Sequence, residues 1–391
     1  MLALAPRLAQ YNGSISRECN ELSRPAITIV LKRSPRPRRL APCAALALLA
    51  GCGTLNADYD PTRSHHTAQG FRNLYPYQQP GLGDLLRWQW DKRTGPDVPP
   101  PAGGYAALPV LRPDLALLAA NRDATTVTWI GHATILLQLG GVNVLTDPQF
   151  SERASPLGFA GPERKVRLPA TLAELPRIDV VVISHNHYDH LDLASVRALA
   201  AQPGGSPLFL VPLGVDRWMR EQGIARVQGM DWWQAVDVTP AVKVHFVPSH
   251  HWSARGLFDR FATLWGGYVV ERAGARPWKF YFAGDTGYAP LFRNELRARF
   301  APIDLAALPI GAYEPRWFMR NQHINPEEAV RIAGELEARQ ALAMHWGTFE
   351  LTDEPLDQPP RDLAAALARA GVPPERFWVF KPGETRTLPG T

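Results

Sequence analysis

Three histidines and one aspartate lie within six consecutive positions of the chain, from His185 to His190. Neutral imidazole and carboxylate are the ligands that zinc-like metals prefer, and a set without thiolates is typical of a catalytic site. If the chain leaves the preceding strand in an extended turn, His185 and His187 project to the same side and hold one metal. Asp189 and His190 follow after the turn and would reach a second metal. With only 11 histidines in 391 residues, this density favours a metal-activated hydrolase over a histidine-rich surface turn.

Four further candidate ligands each lie just past a predicted strand: His250, His251, Asp285 and His345. The ends of strands in open sheets commonly build one site at one edge, so we expect these side chains to meet the first group. One metal would then be held by His185, His187 and one of His250 or His251. The other would be held by Asp189, His190 and His345. Asp285 would bridge the two, with room for a shared water.

The order of apolar segments predicts an α/β fold. A β-meander is predicted at Thr125–Ile130, Thr134–Leu139 and Val142–Thr146. Strands and helices then alternate, at Ile178–Ile183, Leu191–Ala201, Leu208–Val211 and Val215–Gln222. The second half repeats this scheme, with strands such as Val242–Val247, Leu264–Glu271 and Trp278–Ala283 and a helix at Ala289–Phe300. Two strand-rich halves with outer helices predict a four-layer αββα sandwich.

An apolar stretch of 11 residues, Leu40 to Ala50, follows a basic segment and is followed by Gly51 and Cys52. It resembles a bacterial lipoprotein signal, which predicts cleavage before Cys52 and lipidation of its thiol. The stretch is shorter than the roughly 18 residues of a spanning helix, and a buried, uncleaved helix is the alternative. We therefore predict upstream residues and a signal peptide in 1–51, an N-terminal arm in 52–121 and a hydrolase domain in 122–391. The protein would be lipid-anchored in the bacterial cell envelope, facing the periplasm or at the outer membrane.

Charge and cysteine content narrow the partners. Residues 1–51 contain 8 Lys/Arg and 2 Asp/Glu, which leaves 34 of the 42 basic and 35 of the 37 acidic residues in the remainder. The mature net charge would be about −1, so the high pI gives no support to nucleic-acid binding. The three cysteines, Cys19, Cys43 and Cys52, lie at or before the predicted cut, so the mature chain would hold no disulfide. The sequence leaves open whether the protein forms a homo-oligomer.

The motif HxHxDH and several longer strings resemble the metallo-β-lactamase superfamily. The strings also look like N-acylphosphatidylethanolamine-hydrolysing phospholipase D and its bacterial relatives, over roughly Thr128 to Glu350: WIGHAT, LTDPQFSERASPLGFAGPER, FAGDTGY, GAYEPRWFM, QHINPEEAVRI and AMHWGTF. The resemblance implies a metallo-β-lactamase αββα sandwich and two zinc ions. It makes His251 the third ligand of the first metal and leaves His250 outside. It also implies that Asp147 supports the ligands and that His132 holds a neighbouring loop.

The same resemblance implies a phospholipase D type phosphodiesterase that acts on N-acylphosphatidylethanolamine or a related envelope lipid. The membrane surface would be reached through lipidated Cys52. Asp189 and Asp285 are candidates to accept the proton of water, and His323 to orient a phosphate or act as an acid. Candidate substrate-binding residues are Tyr188, Gln322, His323, Trp317 and Phe318. The alternatives are a lactonase or phosphoesterase for a small soluble substrate and a non-catalytic envelope lipoprotein. Ligands of this kind also accept iron or manganese.

Overall fold

The computed structural model describes residues 55–275 and 277–388 of the chain. The predicted signal peptide and its lipidation site, Cys52, lie outside these residues. Cleavage of the signal peptide, the lipid anchor on Cys52 and the domain boundaries at residues 51 and 121 therefore stay predictions. Among the described residues, no helix combines the length and the apolar character that crossing a membrane requires.

The N-terminal arm contains regular structure. A two-stranded hairpin, β1 (His66–Thr67) and β2 (Gly70–Phe71), is followed by helices α1 (Leu82–Thr94) and α2 (Leu115–Ala120), with a 3-10 turn at Tyr105–Ala107 between them. The segment between α1 and that turn has neither helix nor strand, as its prolines predict. The sequence analysis did not predict α1, because its leucines and tryptophans occupy more than one side of the helix and show no clean amphipathic period.

The first sheet is formed mainly by the N-terminal half of the fold. Its strands are β3 (Thr126–Gly131), β4 (Thr134–Leu139), β5 (Val142–Thr146), β6 (Val180–Val182), β7 (Leu208–Pro212), β8 (Val227–Met230) and the C-terminal β16 (Thr385–Thr387). They are arranged in the order β16-β3-β4-β5-β6-β7-β8. The meander β3 to β5 is antiparallel, whereas β5 to β8 are parallel to one another.

The second sheet is formed by the C-terminal half. Its strands are β9 (Ala235–Thr239), β10 (Val242–Val247), β11 (Gly267–Arg272), β12 (Trp278–Phe282), β13 (Leu305–Pro309), β14 (Gln340–Met344) and β15 (Phe377–Trp378). They lie in the order β15-β14-β13-β12-β11-β10-β9. The run from β12 to β15 is parallel and the run from β9 to β12 is antiparallel.

Helices flank both sheets. They are α3 (Leu193–Ala200), α4 (Val215–Glu221), α5 (Arg297–Phe300), α6 (Arg316–Met319), α7 (Pro326–Glu335) and α8 (Gln358–Ala370). Helix α4 contacts β7 and β8, and α7 contacts β13 and α8. Helix α7 begins as its sequence predicts, because Asn325 accepts a hydrogen bond from the Glu328 amide and Pro326 occupies the first turn. The predicted four-layer αββα sandwich is confirmed.

Strand β4 shows how sequence alternation builds the layers. Ile135, Leu137 and Leu139 join the core between the two sheets, whereas Leu136 joins the core under the helices of the first sheet. Alternate residues of a strand point to opposite faces, so one strand serves both cores. All four side chains are buried.

Element boundaries differ from prediction mainly at the ends. The predicted helix Ala289–Phe300 is instead a π-helical turn at Phe292–Leu296 followed by α5, and the strand predicted to begin at Leu264 begins at Gly267. Strands β8 and β9 were not predicted. Strand β9 lies at the sheet edge and leaves its valines only partly buried, so its sequence lacks a strong apolar signal.

Candidate metal centre

The candidate ligands meet at one edge of the sandwich. Strands β10, β12 and β14 of the second sheet run in the same direction, and each is followed by a ligand residue, as is β6 of the first sheet. Sheet one supplies His185, His187, Asp189 and His190 after β6, and sheet two supplies His251, Asp285 and His345 after β10, β12 and β14. The structure therefore brings all seven predicted metal ligands together, and neither sheet holds the complete set.

Two glycines allow ligand-bearing segments to approach their neighbours closely. A Cβ on Gly284 would lie 2.6 Å from the Cβ of Ser184 and 2.9 Å from the Gly266 carbonyl oxygen. A Cβ on Gly311 would lie 2.2 Å from the carbonyl oxygen of His345. A larger residue at either position would push the ligand-bearing loops apart. These glycines are needed because of backbone contact, which the sequence motifs alone do not reveal.

The first ligand group consists of three histidines. Nε2 of His185 lies 2.8 Å from Nδ1 of His187, which lies 3.4 Å from Nε2 of His251. Two of these residues are fully buried and His187 is partly buried. His250, which the residues alone left as an alternative to His251, belongs to none of the ligand groups among the described residues. Its ring packs against Tyr77 instead, with 5.3 Å between the centroids.

The second ligand group combines two histidines and a carboxylate. Nε2 of His190 lies 3.2 Å from Nε2 of His345. Oδ2 of Asp189 lies 3.4 Å from each of these nitrogens. The three donor atoms therefore converge on one small space, as ligands of a shared cation do.

Asp285 lies between the two groups. Its Oδ2 is 3.1 Å from Nε2 of His190, and its Oδ1 is 3.1 Å from Nε2 of His345. The same Oδ2 lies 3.9 Å from Nε2 of His185 and 3.8 Å from Nε2 of His251. One carboxylate thus faces both groups, which is the bridging position predicted from the coordination count.

Buried hydrogen bonds orient the ligand rings. Asp147 Oδ2 lies 2.7 Å from His190 Nδ1 and accepts a 2.5 Å hydrogen bond from the Ser184 hydroxyl. That hydroxyl lies 2.9 Å from His185 Nδ1, and the Gln322 carbonyl oxygen lies 2.8 Å from His251 Nδ1. A bond at one ring nitrogen fixes the tautomer and directs the other nitrogen toward the metal space.

His132 has a closer role than the sequence predicted. Its Nε2 lies 3.0 Å from Oδ2 of Asp189, so it contacts a predicted ligand and does more than hold a loop. Its carbonyl oxygen also accepts a hydrogen bond from the His345 amide at 2.9 Å. His132, Asp147 and His345 all have positive φ angles, of 53°, 32° and 60°. Strained residues of this kind cluster at functional sites.

Charge compensation dominates the electrostatics of the site. Burial lowers the pKa of His187 and of His251 to about 3. Near pH 7 these rings are therefore uncharged, and each can offer a nitrogen lone pair to a metal. Burial also opposes protonation of His345, but Asp285 and Asp189 outweigh it and raise the pKa to about 9. The same carboxylates raise the pKa of His190 well above its usual value, against the effect of burial. The two carboxylates therefore favour the protonated, positively charged forms of His190 and His345.

The donor set fits a metal site. Nε2 of His185 and Nδ1 of His187 face each other at 2.8 Å, and Nε2 of His251 lies 3.4 Å from the same Nδ1. Burial lowers the pKa of all three rings, so few protons are available for these nitrogens to share. Buried polar atoms are rarely left unsatisfied, and a cation would accept the three lone pairs. Imidazole and carboxylate are the donors that zinc accepts.

A cavity of about 500 Å³ opens onto the ligands. His187, Asp189 and Asp285 lie at its base, and the predicted residues Phe318, Gln322 and His323 line it. Tyr188 and Trp317 are not among the described residues that line this cavity. The guanidinium of Arg255 covers the ring of Tyr188, and that of Arg87 covers the ring of Trp317. Their predicted contact with substrate finds no support in these packing positions.

His323 faces the ligands from the side of the cavity. Its Nδ1 lies 3.8 Å from Oδ2 of Asp285 and has no hydrogen-bond partner. Burial lowers the pKa of His323 to about 3, so the ring is neutral near pH 7. A neutral ring suits the predicted role of orienting a substrate oxygen better than the role of an acid.

Several residues that line the cavity were missed from the sequence. The arm contributes Gln79, Leu82, Leu85 and Trp88, and a loop after β10 contributes Arg260. Trp88 donates a 2.8 Å hydrogen bond to Asp353 and packs on Phe318 with 4.9 Å between ring centroids. No local motif marks these residues, because they reach the site only when the arm packs on the sandwich.

Comparisons with known proteins agree with this geometry. The family model for the beta-lactamase superfamily domain matches residues 142–346. The chain belongs to the metallo-β-lactamase superfamily. This metallo-β-lactamase-fold chain is similar to a metallo hydrolase from the archaeon Ignicoccus hospitalis, with a TM-score of 0.51 and 21% identity over 69% of this chain and 100% of that one. At that identity the likeness shows the fold alone.

Two relatives connect this superfamily member to hydrolases. It is 40% identical over 251 residues to N-acyl-phosphatidylethanolamine-hydrolyzing phospholipase D 1 of Caenorhabditis elegans, which covers 62% of this chain and 69% of that protein. It is 30% identical over 263 residues to a metal-dependent hydrolase of Caldivirga maquilingensis, which covers 67% of this chain and 97% of that protein. The chain is therefore a member of a family of metal-dependent hydrolases.

We expect the zinc affinity of the metal-free protein to increase with pH between about pH 7 and 9. His345, with its pKa raised to about 9, carries a proton below that pH and must lose it before it can ligate a metal. Each proton released makes the apparent Kd about tenfold tighter per pH unit. Competition titrations against a chelator at several pH values measure the slope. A slope of zero, or an unchanged slope in His345→Gln, would contradict this explanation.

Proposed function

We propose that this protein is a dinuclear zinc hydrolase of the phospholipase D type, acting on N-acylphosphatidylethanolamine or a related envelope lipid. The observation that carries the proposal is the pair of ligand groups that share Asp285 at the base of a cavity with an apolar wall. The similarity to a relative that bears the name N-acyl-phosphatidylethanolamine-hydrolyzing phospholipase D supports the same substrate class.

The residues divide into metal-holding and substrate-facing sets. One zinc ion would be held by His185, His187 and His251, the other by Asp189, His190 and His345, with Asp285 between them. Bound zinc ions lower the pKa of water and neutralise charge that develops on a phosphoryl oxygen. Asp189 and Asp285 both face the cavity, and burial fails to keep them protonated because His190 and other histidines lower their pKa well below its usual value. Either carboxylate is therefore available as an acceptor for the proton of water.

Arg260 supports a phosphodiester substrate. Of the described residues that line the cavity, it is the sole arginine or lysine. Its guanidinium lies over the Trp252 ring, 3.9 Å from the centroid, which holds the side chain at the cavity wall. Guanidinium groups bind phosphate oxygens with paired, charge-assisted hydrogen bonds. A lactone without a phosphate has no comparable anionic group for this side chain to bind.

The arm supports a lipid substrate. Leu82 and Leu85 line the cavity, and Leu82, Leu86 and Trp90 form an exposed apolar stripe on α1, with 72%, 61% and 67% of their surfaces accessible. Residues four positions apart share one face of a helix, so the stripe is continuous from the cavity rim outward. Exposed apolar side chains grouped at the rim of a pocket are typical of surfaces that contact a membrane or another protein.

The exposed tip of the loop that carries Arg260 strengthens this interpretation. Leu257 and Phe258 are 91% and 98% accessible. Together with the predicted lipid on Cys52, these residues would hold the cavity against the envelope membrane. Anchoring at that surface raises the effective concentration of a lipid substrate around the site. We therefore keep the lipid-anchored envelope location as part of the proposal.

The decisive experiment presents zinc-loaded protein with vesicles that contain N-acylphosphatidylethanolamine. We expect phosphatidate and N-acylethanolamine by mass spectrometry, loss of activity with EDTA and recovery with zinc. Asp285→Asn removes the carboxylate shared by both ligand groups, so kcat should fall about 100-fold or more. Asp237→Asn is the matched control, since Asp237 is 72% exposed and pairs with Lys243 at 3.2 Å.

The outcomes separate the alternatives. Turnover of soluble lactones or small phosphoesters without turnover of vesicles would replace the lipid proposal with a small-molecule hydrolase. No metal-dependent hydrolysis of any of these substrates would favour a non-catalytic envelope protein. Full activity in Asp285→Asn would overturn the shared role of that carboxylate.

Arg260→Gln should lower kcat/KM for a phosphodiester about 10- to 100-fold, because a hydrogen bond to a charged group contributes about 1.5–3 kcal/mol. Hydrolysis of an uncharged ester or lactone, if the protein supports it, should change little. Kinetics on both substrate classes measure the difference. Arg293→Gln, which alters an exposed arginine outside the cavity lining, is the control. Equal losses on charged and uncharged substrates would argue against phosphate recognition.

The double variant Leu86→Ser and Trp90→Ser should weaken binding to vesicles about tenfold or more, because burial of one large apolar side chain contributes about 1.5–3 kcal/mol. Neither residue lines the cavity, so activity on a short-chain soluble phosphodiester should persist. Vesicle sedimentation and parallel assays on both substrate forms test this. Leu117→Ser, at a residue that is 52% exposed on α2, controls for loss of apolar surface elsewhere. Unchanged vesicle binding would refute a membrane role for α1.

A further inference from the structure

A second histidine and carboxylate cluster lies where the arm joins the sandwich. His65 and His66 precede and begin β1, and Asp231 follows β8. They are only 4%, 6% and 4% exposed, and they share no residue with the catalytic ligand groups. The catalytic proposal makes no use of these three side chains.

The donor atoms of the cluster converge. Nε2 of His65 lies 2.7 Å from Oδ1 of Asp231, and Nε2 of His66 lies 3.3 Å from Oδ2 of the same carboxylate. The two rings are nearly perpendicular, at 87°, with centroids 4.5 Å apart. Nε2 of His66 is buried, and its 3.3 Å contact with Oδ2 of Asp231 lacks the alignment of a hydrogen bond. A hydrogen-bonded pair accounts for His65, whereas the second imidazole faces the same carboxylate without such a bond.

Neighbouring groups fix the orientation of each ligand. Nδ1 of His66 lies 2.9 Å from the carbonyl oxygen of Asp58 and 3.1 Å from the amide nitrogen of Asp60, so backbone groups hold this side of the ring in either tautomer. With an ion on Nε2, Nδ1 would carry the ring proton and donate it to the Asp58 carbonyl, as metal-bound histidines do. The ring of His65 stacks on Trp232 with 4.4 Å between centroids, and the Trp232 amide donates a 2.8 Å hydrogen bond to Asp231. The three donors are therefore held in place by the fold and are not free to rotate away.

We infer that His65, His66 and Asp231 bind one divalent cation of the zinc class and that this ion fastens the arm to the sandwich. Two imidazoles and one carboxylate are a three-donor set that zinc accepts, with solvent in the fourth position. The cation nearest to the cluster is Arg63, whose Nε lies 3.7 Å from Oδ2 of Asp231. Its side chain is 44% exposed, so it can move into solvent when an ion binds.

The position of the cluster gives this ion a consequence for the catalytic cavity. Asn73 lies a few residues after His66, accepts a 3.1 Å hydrogen bond from the His251 amide and donates one of 2.8 Å to the His251 carbonyl oxygen. The arm then continues to Gln79 and Leu82, which line the cavity. An ion bound at His66 would fix the arm close to the cavity, so a shorter segment of chain has to be ordered to place Gln79 and Leu82.

The test counts zinc in protein whose catalytic centre has been disabled. In a His187→Ala, His190→Ala and Asp285→Asn background, which removes ligands from both catalytic groups, we expect one equivalent of zinc to remain at the arm cluster after dialysis against micromolar zinc, measured by mass spectrometry of the metal. Addition of His66→Gln should remove that equivalent. The matched control is His245→Gln, because His245 also pairs with a carboxylate, Glu271 at 3.1 Å, but has no second histidine beside it. The control should keep the equivalent.

Two further measurements distinguish loss of zinc binding from misfolding of the variant. With the catalytic centre intact, His66→Gln should hold one equivalent of zinc less than His245→Gln, whatever the catalytic centre holds. In the disabled background, added zinc should raise the Tm of the His245→Gln control and leave that of His66→Gln unchanged. If the cluster has a purely structural role, the change in Tm on adding zinc should be the same in both variants. If zinc content and the zinc-dependent rise in Tm are the same in both variants, the inference is wrong and the cluster is a hydrogen-bonded contact.

Discussion

The charge of the Asp285 carboxylate is the interaction on which the site depends. Only 2% of this residue is exposed, and an ionised carboxylate at such a place has to be compensated. Five imidazoles lie within 3.9 Å of its oxygens: those of His185, His190, His251, His323 and His345. Because these rings come from both sheets, the sandwich must close correctly before the charge is compensated. Fold and site are therefore coupled, and Gly284 makes the closure sterically feasible, because a Cβ at this position would clash with Ser184 of the other sheet.

The arm forms part of the wall around that site. Leu82, Leu85 and Trp88 give the cavity above the ligands an apolar side. The same helix carries the exposed stripe that the lipid proposal uses. The arm's contacts with the sandwich near its start include the His65 and Asp231 pair, the insertion of Phe71 into the core and the bonds of Asn73 to His251. Part of the cavity wall is thus built by a segment outside the sandwich.

Sequence reasoning predicted the sandwich and the ligand set because both leave periodic or dense local signals. Strand β4, for example, was predicted with its observed ends, since apolar residues on both faces and the Gly140-Gly141 turn mark it. The edge strand β9 and helix α1 were missed, because partial burial on an edge and apolar residues on several helix faces give no period. The choice between His250 and His251 needed the family resemblance, since two adjacent histidines are equivalent in sequence. In the structure the difference is clear, because the backbone turns His251 toward the ligands and His250 toward Tyr77.

The sequence by itself determined the chemistry of the centre, because residue type decides which atoms can ligate a metal, and the HxHxDH spacing with histidine and aspartate after strands restricts where they can lie. It also determined the α/β layers through alternation and helix capping. Tertiary structure alone decided that Asp189 bonds to His132, that Asp285 faces both ligand groups and that Arg260 and α1 line the cavity. It likewise joined His66 to Asp231, residues separated by most of the first sheet. Such contacts depend on how distant segments pack, and long-range packing leaves no local periodicity from which it can be predicted.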